Sequence, residues 1–98
     1  MMLYRTDAEG QPVPEPDTMK WGTWFETANR VVAKTKTKDA EVSTVFLGVD
    51  HSFGVGPPIL WETMVFGGPL DQDQDRYTSL ADARKGHEDM VARVRKAS

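Results

Sequence analysis

Two histidines and a set of carboxylates are the groups in this chain best suited to acid–base or metal chemistry. Asp50 and His51 are neighbours at the end of one apolar run, and Glu62 lies within the next. His87 falls on the apolar stripe of a C-terminal helical pattern. An imidazole beside carboxylates can hold zinc or manganese, or pass a proton as general acid and base. Asp50, His51, Glu62 and His87 are therefore the candidate catalytic set, and a small metal-dependent hydrolase or nuclease is the enzymatic reading. No H-x-x-x-H, H-E-x-x-H or H-x-H pair forces two ligands together. Asp50 is equally suited to accept from loop amides, and His87 to sit in the core with one hydrogen-bond partner.

A second carboxylate set is Asp71-x-Asp73-x-Asp75, with Asp82 at the twelfth position. Alternating carboxylates closed by a final acid are how calcium loops wrap a hard cation. Here Arg76 stands at position six, where the sharp turn calls for glycine, and the final acid is the shorter Asp. A solvated acidic turn feeding a helix fits the same residues. The expectation is no cofactor, with a divalent metal as the exception these carboxylates keep in view. Nucleophilic catalysis has no support, since the chain lacks cysteine and has no G-x-S-x-G elbow. Gly54-Val55-Gly56-Pro57-Pro58 precedes a strand rather than a helix and lacks the Lys-Ser/Thr of a phosphate loop.

Aromatic residues suggest a different use. Phe53, among those glycines, either folds back on the core, the slightly favoured outcome, or is offered to a partner as an anchor. Phe53, Val55 and Trp61 are the candidate interaction residues. Trp21, Trp24 and Trp61 beside Lys34, Lys36 and Lys38 would suit stacking on single-stranded nucleic acid. Their helical and central-strand positions favour the core instead, and a net charge of −3 argues against nucleic acid as partner.

The elements that must position these groups are legible in the patterning. Ninety-eight residues, 39% of them apolar, suffice for one compact domain with one modest core. Residues 1–17 form an extended, Pro-rich N-terminal segment that opens with a short strand. Asp17 caps a helix over about residues 18–28, whose apolar face is Trp21, Trp24, Phe25 and Ala28. Gly22 weakens that helix, and close packing would explain its presence. Val31, Ala33 and Thr35 alternate with Lys34, Lys36 and Lys38 as an edge strand would. Residues 42–49 and 59–66 are two further strands, apolar on both faces, joined by a long Gly/Pro loop. Asp71 to Thr78 reads as polar loop. Ser79 and Asp82 form a capping box for a helix striped by Leu80, Ala83, His87, Met90 or Val91, and Val94. The order β-α-β-β-β-α implies an α+β fold: a small antiparallel sheet of three to four strands with two helices on one face.

The blocks TVFLGVDHSFGVGPPILWETMVFGGPLD and RYTSLADARKGHEDMV, with the preceding WGTWFETANRVVAKT, resemble a group of small proteins encoded by bacteriophages and prophages, notably of actinobacteria. The resemblance covers most of the chain beyond about residue 18. It implies a phage-encoded protein acting inside a host, and it carries over no catalytic residue. The absence of cysteine suits a reducing cytoplasm. No apolar run approaches the roughly 18 residues a membrane helix needs, and the first residues lack a signal-peptide pattern. The expectation is a non-enzymatic interaction module in the host cytoplasm. Its partner would be a host or phage protein, or a second copy in a homodimer, met through apolar surface that two short helices leave uncovered.

Overall fold

The computed structural model describes residues 2–54 and 56–98. In chain order these form β1 (Tyr4–Thr6), β2 (Pro12–Pro14), α1 (Thr18–Thr27), β3 (Val31–Lys36), β4 (Glu41–Phe46), β5 (Trp61–Phe66), β6 (Gln74–Tyr77) and α2 (Leu80–Ala97). The fold is α+β, with an antiparallel four-stranded sheet in the order β3-β4-β5-β6 and a separate two-stranded β1-β2 ribbon.

Alternation decides which side of the sheet is core. Val42, Thr44 and Phe46 of β4 and Trp61, Thr63 and Val65 of β5 are buried, and they lie on one face because neighbouring strand residues point to opposite sides. α2 lies across all four strands on that face. It buries Leu80, Ala83, His87, Met90, Val91 and Val94, the face that the helical stripe implies. Fully burying a Leu, Val or Met side chain contributes about 1.5–3 kcal/mol, so this one contact dominates the stability of the fold. Ser79 caps the helix by accepting from the Asp82 amide, and Arg95 and Lys96 sit in its last turn, where the dipole favours cations.

Three features depart from the sequence expectation. First, residues read as polar loop contain β6, which pairs Trp61 with Tyr77 and Glu62 with Arg76. Its polar composition hides it, because most of its side chains are solvated. Second, the N-terminal strand does not join the main sheet. β1 pairs with β2, in an arrangement where Asp7 donates to the Gln11 carbonyl and Glu15 to the Leu3 carbonyl. Pro12 and Pro14 fall between those bonds, at positions that owe the ladder no donor. Third, α1 packs against β1 rather than across the sheet. The Trp21 indole donates to the Tyr4 carbonyl, and the Trp24 ring meets Phe46 edge-on at 6.0 Å. Asp17 caps α1 as its position suggests, accepting from the Met19 and Lys20 amides.

The expectation that β4 and β5 are apolar on both faces also fails. Their open face carries Glu41, Ser43, Val45, Glu62, Met64 and Phe66, half of them polar. Cross-strand pairs Lys34–Glu41 at 3.7 Å and Arg76–Glu62 at 2.9 Å bridge it. Apolar exposure on this face is confined to scattered side chains such as Val31 and Phe66.

Two helical glycines have opposite meanings. Nothing lies within 4 Å of a Cβ added at Gly22, so close packing does not explain it. A Cβ at Gly86 would collide with the Tyr77 ring, which rests directly on the α2 backbone. Gly22→Ala should therefore raise stability by about 0.5–1 kcal/mol, whereas Gly86→Ala should lower it by about 1–3 kcal/mol through overpacking. Urea denaturation of the two variants measures both; equal effects would contradict this packing.

Candidate functional site

The four candidate catalytic residues do not converge. Glu62 projects from the open face of β5, where it is paired with Arg76, while His87 is buried under the opposite face. Asp50 and His51 lie in the connection beyond β4, at the loop end of the β4–β5 hairpin. Among the described residues, no three His, Asp or Glu side chains gather closely enough to hold a metal ion. The reason is the period of two: Glu62 and its neighbour Thr63 point to opposite faces, and it is Thr63 that lies toward the helix.

The side chains of Asp50, Glu62 and His87 each have a local structural partner instead, and His51 is held through its backbone. The Asp50 carboxylate accepts from the Ser52 amide at 2.8 Å, the Ser52 hydroxyl at 2.9 Å and the Ile59 amide at 3.0 Å, clamping both ends of the loop. Those bonds, the Ser52 amide foremost, and the nearby His51 hold its pKa below the ordinary carboxylate range. The His51 amide donates to the Ile59 carbonyl across the same neck.

His87, 1% exposed, is the centre of a buried polar layer. Its Nδ1 lies 2.7 Å from the Thr44 hydroxyl and its Nε2 lies 2.9 Å from the Thr35 hydroxyl. Thr44 is hydrogen-bonded to Thr63, which also accepts from the Tyr77 hydroxyl at 3.0 Å. Every strand of the main sheet thus contributes one hydroxyl, from Thr35, Thr44, Thr63 and Tyr77. Hydroxyls both donate and accept, so they satisfy either neutral tautomer of the ring without supplying a counter-charge. Burial accordingly pushes His87 below the usual histidine value, with Glu88 opposing weakly, and it pushes the Tyr77 phenol up. In the sequence these threonines stand simply as residues of the strand segments. Their tell was two of them, Thr44 and Thr63, at core positions of strands otherwise filled by Val, Phe and Trp.

The acidic set is equally dispersed. Asp71 accepts from the Gly67 amide in a turn, and Asp75 in β6 pairs with Arg93 of α2 at 3.2 Å. Asp73 continues that turn, where its amide donates to the Leu70 carbonyl. Asp82 occupies the first turn of α2. β6 extends the chain where a calcium loop would have to curl, which separates these carboxylates.

The interaction candidates divide. Trp61 is 1% exposed, so it belongs to the core and cannot be a contact residue on the surface. Val55 lies outside the described residues. Phe53 does not fold back: it is 93% exposed, and its backbone is left-handed at φ +57°. Beside it is a cleft of about 520 Å3 lined by Met2, Val49, Asp50, His51, Phe53 and Gly54.

The His87 layer makes stability depend on pH. An unfolded histidine titrates at about 6.5, and the folded value is lower. Between the two values the unfolded chain binds a proton that the native chain resists. The contribution is therefore complete above about pH 6.5 and declines as pH falls toward the lower native value. Asp50, shifted downward, loses its contribution in a separate window below about pH 4. Urea midpoints should drop between about pH 7.5 and 5.5 in the natural protein. His87→Gln should be weaker at the higher pH by about 1–3 kcal/mol and flatter across that interval. A variant as pH-sensitive as the parent would contradict the assignment.

Comparison of the chain with protein-family models, with curated proteins and with solved structures finds no match, so the site is read from its own geometry.

Proposed function

We propose that this protein is a non-enzymatic protein-interaction module, phage- or prophage-derived and acting in the host cytoplasm, whose contact element is the loop carrying Phe53. The observation that carries this reading is the cost of placing Phe53 where it is. A bulky residue in left-handed backbone is strained by roughly 1–2 kcal/mol, and glycine or asparagine would hold the same turn more cheaply. The strain is combined with a ring left almost wholly in water. Neither feature helps the fold, and both suit an aromatic that anchors an interface by entering a partner's apolar pocket.

The loop is also prepared for that role. Its neck is closed by the Ile59 amide donating to Asp50 and the His51 amide donating to the Ile59 carbonyl, while Ser52 orders one end through Asp50, which lowers the ordering cost of binding. Met2, also exposed, lines the adjoining cleft and widens the apolar contact. The open sheet face is the weaker candidate, because ion pairs interrupt its apolar residues. The partner is a host or phage protein, or a second copy of this chain.

Phe53→Asn separates folding from binding. It should leave urea stability unchanged or raise it by about 0.5–1 kcal/mol. A photo-crosslinker at position 53 should give one discrete adduct, either a dimer or a single partner, when the protein is expressed in a host cell. Sedimentation over a concentration series identifies the dimer case, and Phe53→Asn should abolish it. A strictly monomeric protein without a discrete adduct, or a large loss of stability in Phe53→Asn, would overturn the reading.

A further inference from the structure

A second site lies on the other side of the N-terminal ribbon and does not depend on the Phe53 loop. The β1–β2 turn, the α1–β3 connection and the start of α2 enclose a cleft of about 270 Å3. Its lining is unusual in hydrogen-bond polarity. Arg30 and Arg84 reach it from two different elements, and neither forms an ion pair among the described residues. Arg30 is fixed in place, donating to the Phe46 carbonyl at 3.0 Å with its guanidinium 4.0 Å from the centre of the Phe25 ring. Asn29 spends its side-chain oxygen on the Val31 amide, which leaves its NH2 group to donate.

Trp61 and Phe46 belong to the same lining. The Trp61 indole N–H is the buried side-chain polar atom that has no hydrogen-bond partner among the described residues. An indole can only donate, and leaving a buried donor unmet costs about 1–3 kcal/mol. The cleft therefore presents donors from three side chains, Arg30, Arg84 and Asn29, while the Trp61 indole N–H is buried in the core beside it. The acid on the lining is Glu9, carried by an exposed turn. Side-chain donors that outnumber the acceptors on the lining, Glu9 and Thr6, call for an acceptor-rich anion, and guanidinium groups match the planar fork of a carboxylate. The volume lies just under the roughly 300–1,000 Å3 of pockets for drug-sized ligands.

We propose that this cleft binds a small organic carboxylate with an apolar body, its carboxylate held by Arg84 and Arg30 and its body against Val31 and Val32, beside the buried rings of Phe46 and Trp61.

Benzoate is the probe, with neutral benzamide as its near-isostere and inorganic phosphate as an anion without an apolar body. In 1H–15N spectra the Trp61 indole resonance, assigned through Trp61→Phe, should shift saturably with benzoate at millimolar concentration. The Trp21 indole, already bonded to the Tyr4 carbonyl, serves as the internal control and should stay in place. Arg84 is exposed on α2, so Arg84→Ala should keep the native circular dichroism while weakening benzoate about tenfold or more. Arg84→Lys should fall between the two, and Glu9→Gln should tighten binding by removing a repulsive charge. No saturable shift with benzoate would overturn the proposal. So would equal binding of benzamide or phosphate, or an Arg84→Ala variant that binds like the parent. None of these results bears on the Phe53 loop, whose variant should bind benzoate normally.

Discussion

The fold depends on one contact, the seating of α2 across β4 and β5. It is organised as apolar, polar and apolar layers. Val42, Val65, Met90, Val91 and Val94 form one cluster, and Phe46, Leu60, Trp61, Leu80 and Ala83 form the other. Thr44, Thr63 and His87 lie between them at the matching positions of two strands and the helix. Apolar packing supplies most of the stabilisation, but it tolerates sliding. A buried hydroxyl does not, because losing its partner costs about 1–3 kcal/mol. A one-turn shift of α2 would move His87 away from Thr44 and Thr35 and leave several such groups unmet. The polar layer thus sets the register that the apolar layers alone would leave loose.

The remainder of the structure is arranged around that register. Gly86 gives the Tyr77 ring room against the helix, and the ring brings its hydroxyl to Thr63. β6 is thereby fixed from two sides, by its ladder to β5 and by Tyr77 beneath α2. Arg93 of α2 adds an exposed pair to Asp75, a contact worth little by itself. At the other end, Leu80 packs under Gly10 of the β1–β2 turn, which links the ribbon to the start of the same helix. α1 then closes the ribbon through Trp21 and reaches the core through Trp24.

Much of this was legible in the sequence where a period or a cap was present. The α2 stripe, the Asp17 and Ser79 caps, and the Ala33–Lys36 alternation in β3 state their structure in residue types alone, whereas a bulge between Val31 and Ala33 turns Val31 to the open face. β6 was not legible, because Gln-Asp-Arg-Tyr lacks the apolar alternation of a half-buried strand. It is a strand because β5 offers an unpaired edge, which no local pattern records. The fate of Phe53 was also hidden, since an aromatic in a Gly/Pro loop is compatible with either rotation of the turn. The polar layer was hidden for a third reason. Thr44 and Thr63 are nineteen residues apart in chain and meet His87 only once three elements have assembled.

The same assembly explains why these candidate residues do not gather at one place among the described residues. Asp50 meets two loop amides and a hydroxyl, Glu62 meets Arg76, Asp75 meets Arg93, and His87 meets two hydroxyls. These partners lie close along one ladder or directly across the α2 interface. A strand that sends Thr63 to the core sends Glu62 to solvent, so the sheet itself keeps Glu62 from His87. A site joining the two would require a one-residue slip of β5, which would also turn Trp61 and Val65 outward and dismantle both apolar clusters. Two other features are of a different kind. They are an exposed aromatic held in strained backbone, and a cleft with guanidinium and indole donors but few acceptors. Both proposed recognition sites rest on these features, and both lie at the ends of the sheet, where loops can vary without disturbing the α2 register.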